Sequence, residues 1–361
     1  MRRVLTPLLL CCAAMSVEIH AQPTPIFRPR VVVVTYFEVG RDTGDRPGEL
    51  QYWVERDRLT RTIEVPGMTH PVRANENASE IAVTVGPGNI RPGVNLMALG
   101  ADPRFDLRRS YWLINGIAGV SPLDGTIGDA FWTDFVVNGD LTKEIDAREI
   151  PAGWNDGFFS LDGSSYGDAK GGAGWEDDVR KWSGEDAKAN RRGNVIRLNR
   201  GLLNWAYGLT RNTSLPEDVA MKALRVKYGA KGPTAAGPRV RVGADLAAET
   251  FWHGAKLDAW AHRWVAFETD GVAHLGTTAM NDSGSLLALQ ALTSQRKADW
   301  NRVLLLRTAS NFDMPPPGIT AAQDLAAEQH GAYTAYLPAL EAAYAVGHRV
   351  VSAWVSESPD K

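Results

Sequence analysis

Four short stretches hold most of the side chains that could do chemistry: Phe37-Glu38, Asn115 to Gly119, Thr277 to Asp282 and Ser310 to Asp313. Asn311 carries an amide that both donates and accepts, which is what a purine edge asks of a partner. Phe37, Phe312 and Trp252 offer flat apolar faces for stacking a base. Asn115-Gly116-Ile117-Ala118-Gly119 reads as a glycine turn, because residues without a Cβ let backbone N–H groups approach a small ligand. Each stretch has a plainer account as well. Ser310, Asn311 and Asp313 are good turn closers ahead of Pro315-Pro316-Pro317, Asp282 suits the N-cap of a following helix, and a glycine turn can join two strands with no ligand. His253 is a lone histidine among aromatics, with no second ligand at metal spacing, so no metal site is expected. The chain has no nucleophile elbow, Walker loop or dinucleotide fingerprint.

The elements that must position these residues follow from the apolar pattern. Arg30 to Phe37, RVVVVTYF, reads as a buried strand suited to a central parallel position. Further strands are expected at Ile81 to Val85, on both sides of the glycine turn at Tyr111 to Ala130, and at Pro238 to Gly243, Val272 to Leu275 and Arg302 to Thr308. Helical spacing marks Pro92 to Gly100, closed by its glycine, together with Arg197 to Leu209, Pro216 to Tyr228, Lys256 to Val265 and Ser283 to Ser294. Ala321 to Trp354 reads as one helix or a pair broken near Pro338, and Glu49 to Thr60 as a helix or a hairpin arm. Alternating strands and helices predict an α/β fold with a largely parallel sheet covered on both faces. In such a sheet the four polar strand ends share one edge and form one site.

The N-terminus carries an address. Arg2-Arg3, an apolar run from Leu5 to Ala14, and Ile19-His20-Ala21 form the pattern of a secretory signal peptide over residues 1–21. Both cysteines, Cys11 and Cys12, lie inside it, so the mature chain is expected to have neither disulfide nor thiolate. No later stretch approaches the roughly 18 apolar residues of a spanning helix, which points to an exported, soluble protein of a bacterial periplasm. With 361 residues, 44% hydrophobic and a formal net charge of -3, the chain can bury a large core and shows no basic run for nucleic acid. From Ala152 to Asn194 the composition turns to Gly, Asp, Ser and Lys with Trp154, Trp175 and Trp182, a long insertion in what otherwise reads as a single domain over 28–358.

The segments VVVVTYFE, INGIAGVSPLDGTIGDA, EIDAREIP, ETFWHG and LLLRTASNFDMPPPG together resemble the purine nucleoside permease family, which is similar to the nucleoside phosphorylases and their α/β fold around a mixed sheet with a partly closed barrel. The resemblance implies a purine nucleoside as ligand and, as contacts, Phe37, Glu38, Asn115, Gly116, Gly119, Trp252, Met280, Asn281, Asp282, Ser310 and Asn311. It also shows departures from the phosphorylase pattern. The Arg and Ser that hold phosphate correspond to Ile114 and Ile117, the Met-Glu pair on the ribose to Met280-Asn281, and the Ser-Asp pair at the purine to Ser310-Asn311, with Asp313 a substitute acid two residues on. A nucleoside-binding protein serving uptake is the first expectation. The alternative is an enzyme cleaving the N-glycosidic bond by phosphorolysis or hydrolysis, with Asp313 and Asn311 as its catalytic residues and phosphate, in a phosphorylase alone, as co-substrate; no other cofactor is implied. Arg41, Arg148 and Arg307 are the cations available to replace the lost phosphate contacts. The sequence leaves open a membrane transport partner and homo-oligomerisation.

Overall fold

A computed structural model describes residues 27–160, 194–229, 232–331 and 333–356. The expected signal peptide and most of the expected insertion, 161–193, lie outside the described residues. The strands are β1 (Val31–Thr35), β2 (Arg61–Ile63), β3 (Val72–Ala74), β4 (Glu80–Thr84), β5 (Tyr111–Val120), β6 (Ala130–Asn138), β7 (Thr142–Glu144), β8 (Phe158–Ser160), β9 (Val195–Arg197), β10 (Val240–Ala247), β11 (Leu275–Ala279) and β12 (Val303–Phe312). The helices are α1 (Gln51–Arg56), α2 (Ile90–Ala101), α3 (Arg200–Thr210), α4 (Val219–Lys227), α5 (Ala255–Glu268), α6 (Asp282–Ser294), α7 (Ala321–Gly331) and α8 (Tyr336–Ser356).

The main sheet runs β11-β10-β6-β12-β5-β1-β4-β3-β2, with β9 added on β6. All five residues of β1 are buried, and their side chains alternate between two cores, as a strand's period of two dictates. Val32 and Val34 pack with Leu286, Leu289 and Leu292 of α6, whereas Val31 and Val33 pack with Val346, Val350 and Trp354 of α8. The fold is therefore α/β in three layers, with the sheet covered on both faces as expected. The sheet is mixed: β4, β1, β5 and β12 run parallel, as do β6, β10 and β11, and the two groups meet antiparallel at β12–β6. A second antiparallel contact, Thr278 against Gly119, joins β11 back to β5 and closes β11-β10-β6-β12-β5 on itself.

Several local expectations are corrected. The glycine-rich stretch is not a turn: β5 runs unbroken through Asn115 to Gly119, and the reversal comes after it, at Ser121 to Asp129. Neither Gly116 nor Gly119 has a positive φ; the glycines are there because neighbours come too close for a Cβ. One added at Gly119 would lie 2.6 Å from Thr278 Oγ1, at the point where the strands close. Gly100 likewise does not end α2 but lies within it against Leu292. The strand expected at Val272 to Leu275 begins only at Leu275, because Asp270 and Gly271 adopt a left-handed turn first. Glu49 to Thr60 contains the short helix α1. The C-terminal pair parts before Tyr336, with Pro338 in the first turn of α8, where its missing N–H costs nothing. No described helix is long and apolar enough to cross a membrane.

Candidate functional site

A cavity of about 540 Å³ opens where the C-terminal ends of β1, β5, β11 and β12 meet. The parallel strands β1, β5 and β12 bring three of these ends together. The fourth, from the antiparallel β11, arrives through the strand closure at Gly119, so convergence owes as much to that closure as to parallel order. Its walls are Ile117, Ala118 and Gly119 of β5, Thr278 to Asn281 after β11, and Ser310 and Asn311 of β12. In a regular strand two consecutive side chains would face opposite ways. Here the register between β12 and β5 slips between Ala309 and Asn311, and such a bulge re-aims side chains, so that Ser310 and Asn311 both reach the cavity. Ser310 Oγ donates to Asn311 Oδ1 at 2.9 Å, and Asn311 Nδ2 donates to the Phe312 carbonyl at 3.0 Å, which fixes the amide with its nitrogen side on the strand end.

Aromatic rings and two glutamates complete the enclosure. Tyr36 and Phe37 come from the end of β1, Phe251 from the loop before α5, Leu325 and Glu328 from α7, Tyr333 from the link that follows and Tyr336 from the start of α8. Phe251 stacks on Tyr333 with centroids 6.2 Å apart, and Arg46 lies over the Tyr336 ring at the exposed mouth. Glu49, also in the wall, is clamped by backbone donors: Oε2 accepts from Tyr36 N at 2.7 Å and Oε1 from Ile117 N at 2.8 Å. Burial pushes its carboxyl up to about 7, against the opposing pull of the Arg307 charge and the two N–H groups. Burial and the neighbouring Asp324 carboxylate likewise push Glu328 up to about 7.

Beneath the cavity floor runs a buried polar network. Arg307 forms a two-pronged pair with Asp282, Nε to Oδ2 at 2.9 Å, and its Nη1 donates to the Ile117 carbonyl at 3.1 Å. Tyr36 Oη donates to Asp282 Oδ1 at 2.8 Å and shares a 2.9 Å hydrogen bond with Ser285. The Arg307 guanidinium crosses β5 at Gly116, where a Cβ would stand 2.4 Å from Nη1 and 2.6 Å from Glu49 Oε1. Burial alone would disfavour the Arg307 charge, but Asp282, Tyr36 and Glu49 outweigh it and raise its pKa further.

Of the residues expected in the site, Phe37, Gly119, Met280, Asn281, Ser310 and Asn311 line the cavity. The others are used elsewhere. Glu38 turns its carboxylate onto the backbone N–H groups of Val39, Gly48, Leu50 and Gln51 and holds the start of α1. Asn115 points to the opposite face, its Nδ2 donating to Ala343 O of α8 at 3.2 Å. Gly116 is roofed by Arg307 and Glu49. Trp252 packs edge-on against Trp260. Asp282 is committed to Arg307, and as the first residue of α6 it caps nothing with its side chain. Asp313 is buried off the cavity wall near Asp258, and burial plus that neighbouring carboxyl raise it well above the carboxylate range. His253, read as a packed residue, is buried and pairs with Asp324 of α7 at 3.1 Å. None of the expected replacement cations reaches the cavity wall. Arg41 pairs with Asp45, Arg148 with Asp146, and Arg307 lies below the floor.

Sequence reasoning missed Glu49, Glu328, Arg46 and the three tyrosines. Glu49 directly follows Pro47-Gly48 and precedes a helix, a legible position for a fixed carboxylate. Glu328 shares one face of α7 with Asp324 four residues earlier, which in sequence is indistinguishable from an ordinary solvated face.

Residues 28–359 match the family model described as purine nucleoside permease. The chain is 25% identical to a probable purine nucleoside permease of Schizosaccharomyces pombe, over 83% of this chain and 82% of the relative. It is 24% identical to a purine nucleoside permease of Candida albicans, over 95% and 80%. Among solved structures, futalosine hydrolase of Helicobacter pylori is similar with a TM-score of 0.49 and 11% identity, covering 91% of this chain and 98% of that one. The 5'-methylthioadenosine/S-adenosylhomocysteine nucleosidase of the same organism gives 0.49 and 12%, covering 90% and 99%. On the match across almost its whole length, the chain belongs to the purine nucleoside permease family.

Proposed function

We propose that this protein is an exported, soluble purine nucleoside-binding protein that takes part in nucleoside uptake. The observation that carries the reading is the convergence on one cavity of Phe37, Met280-Asn281 and Ser310-Asn311, residues that lie up to 274 positions apart in the chain. Aromatic walls suit a flat base, the fixed Asn311 amide suits its edge, and a cavity of about 540 Å³ suits a ligand of nucleoside size. The relatives' names supply the link to uptake. With no helix in the described residues able to cross a membrane, the chain's part in uptake is the capture of ligand for a separate membrane partner.

Glu49 favours a second reading, cleavage of the N-glycosidic bond. A carboxylate held by two N–H groups and poised near neutrality has the properties of a general base for water. The same contacts argue for hydrolysis over phosphorolysis: the Ile117 N–H that could have met a phosphate is occupied by Glu49, and Ile114 is wholly buried. One experiment separates the readings. Adenosine, guanosine or inosine should raise the melting temperature without added phosphate, and chromatography should find the nucleoside intact after incubation. Release of free base that disappears in Glu49→Gln would establish the enzyme instead. No stabilisation by any of the three would sink both.

A further inference from the structure

Glu328 is the one acidic side chain that α7 presents to the cavity, and its Oε2 is buried with no hydrogen-bond partner among the described residues. Glu49, by contrast, has both oxygens taken by backbone N–H groups, contacts that favour its ionised form. The two glutamates therefore differ in what they can offer a neutral ligand: both Glu49 oxygens are already held as acceptors by the backbone, whereas Glu328 has a free oxygen that can carry a proton. A nucleoside that fills the cavity also removes water from Glu328, and desolvation favours the neutral acid. We propose that Glu328 binds the nucleoside as a protonated carboxyl that donates a hydrogen bond to it, so that the cavity takes up a proton from solvent when it fills. The inference rests on the nucleoside-binding reading and adds proton linkage to it.

The surroundings are consistent with this direction. Facing Glu328 are Asp324 one turn earlier, itself held by His253, and the phenols of Tyr333 and Tyr228, whose ionisation burial and the Glu328 carboxylate both oppose. Among the described residues no cation is paired with Glu328; Arg46, at the mouth, lies over Tyr336. On the Glu49 side the charged neighbours are Arg307 and Asp282, already joined to each other, and the phenol of Tyr336 is held neutral by burial. Filling the cavity therefore adds to the factors that keep Glu328 protonated. Because the ligand prefers the protonated state, affinity is full below about pH 7 and falls as pH rises through it, by up to about tenfold per pH unit for a single proton.

Calorimetric titration of the full chain with inosine, in two buffers of different ionisation enthalpy at pH 6, 7 and 8, reads the proton directly. Uptake should be small at pH 6 and approach about one proton per nucleoside at pH 8. In Glu328→Gln, whose amide donates at every pH, the uptake at pH 8 should vanish and the variant should bind more tightly there than the unaltered chain. Uptake that persists in Glu328→Gln, proton release, or a pH-independent heat in the unaltered chain would overturn the proposal while leaving nucleoside binding intact. Absence of binding at every pH would overturn both.

Discussion

At the cavity wall the decisive contrast is between Asn311 and Asp313, two residues apart on one strand end. Asn311 reaches the cavity with an amide whose orientation is set by Ser310 and the Phe312 carbonyl. Asp313 lies behind it, its backbone carbonyl accepting from Gly254 N and its carboxyl sharing a buried space with Asp258. Truncating Asn311 to alanine should leave a purine edge without its partner and weaken nucleoside binding by about 1–3 kcal/mol, with loss of discrimination between adenosine and inosine. Titration of both nucleosides checks this, and unchanged affinity would mean that the base lies elsewhere. Both residues were visible in sequence as polar groups on a strand end. Their directions were not, because a one-residue slip in register decides which way a side chain points and leaves no compositional mark. Glu38 and Asn115 show the same limit: each is a polar residue at the expected depth that satisfies the backbone of a neighbouring element.

At the scale of elements, strongly apolar strands and their order were legible, because runs such as VVVVT and RVLLLRT have few alternatives. The glycines of β5 were misread for a physical reason. A glycine marks either a turn or a close approach of a neighbour, and here the neighbours are Arg307, Glu49 and Thr278, none near in sequence. The same ambiguity recurs where α2 meets α6. Gly284 lets the helices touch backbone to backbone: a Cβ there would fall 1.8 Å from the Asn89 carbonyl, and the Gly284 N–H donates to Asn89 Oδ1 at 3.1 Å. Since Asn89 is backbone and cannot swing away, Gly284→Ala should force the helices apart and cost about 1–3 kcal/mol. Chemical denaturation reads that as a lower midpoint. Leu287→Ala, on the exposed side of the same helix, should stay within about 0.5 kcal/mol. Equal midpoints for Gly284→Ala and the unaltered protein would show that the helix pair tolerates separation. Because Asp282 opens this helix and anchors Arg307 beneath the cavity, the separation should also loosen ligand binding.

Over the whole molecule, the unusual quantity is the number of acids that folding keeps protonated. Burial and nearby carboxylates raise Asp245 and Asp313 well above their ordinary range, and burial with Asp57 beside it raises Glu80 to about 9. Glu49 and Glu328 stand near 7. For His262, burial opposes the charge, but Asp124 at 2.6 Å outweighs it and lifts the imidazole to about 9. In each case the folded state binds its proton more tightly than the unfolded chain. The stabilisation is complete below the unfolded values, about 4 for the carboxyls and about 6.5 for His262, and is lost as pH climbs through the folded ones. Two effects act at the other end. Asp102 and Asp106, lowered by Arg104 and Arg108, lose their contribution as pH falls below about 4, and His253, lowered by burial, resists being charged below about 6.5. The melting temperature should therefore be highest at mildly acidic pH and decline steadily from pH 6 to 9. A scan without ligand tests the sum, and a melting temperature that rises over that interval would contradict the buried-acid account. Repeating the scan with saturating inosine extends the test to the cavity. If binding takes up a proton at Glu328, the stabilisation by ligand should shrink across the same interval in the unaltered chain and hold steady in Glu328→Gln. A decline that is common to both proteins without ligand, and a ligand effect that differs between them, would assign the first to the buried network and the second to the site.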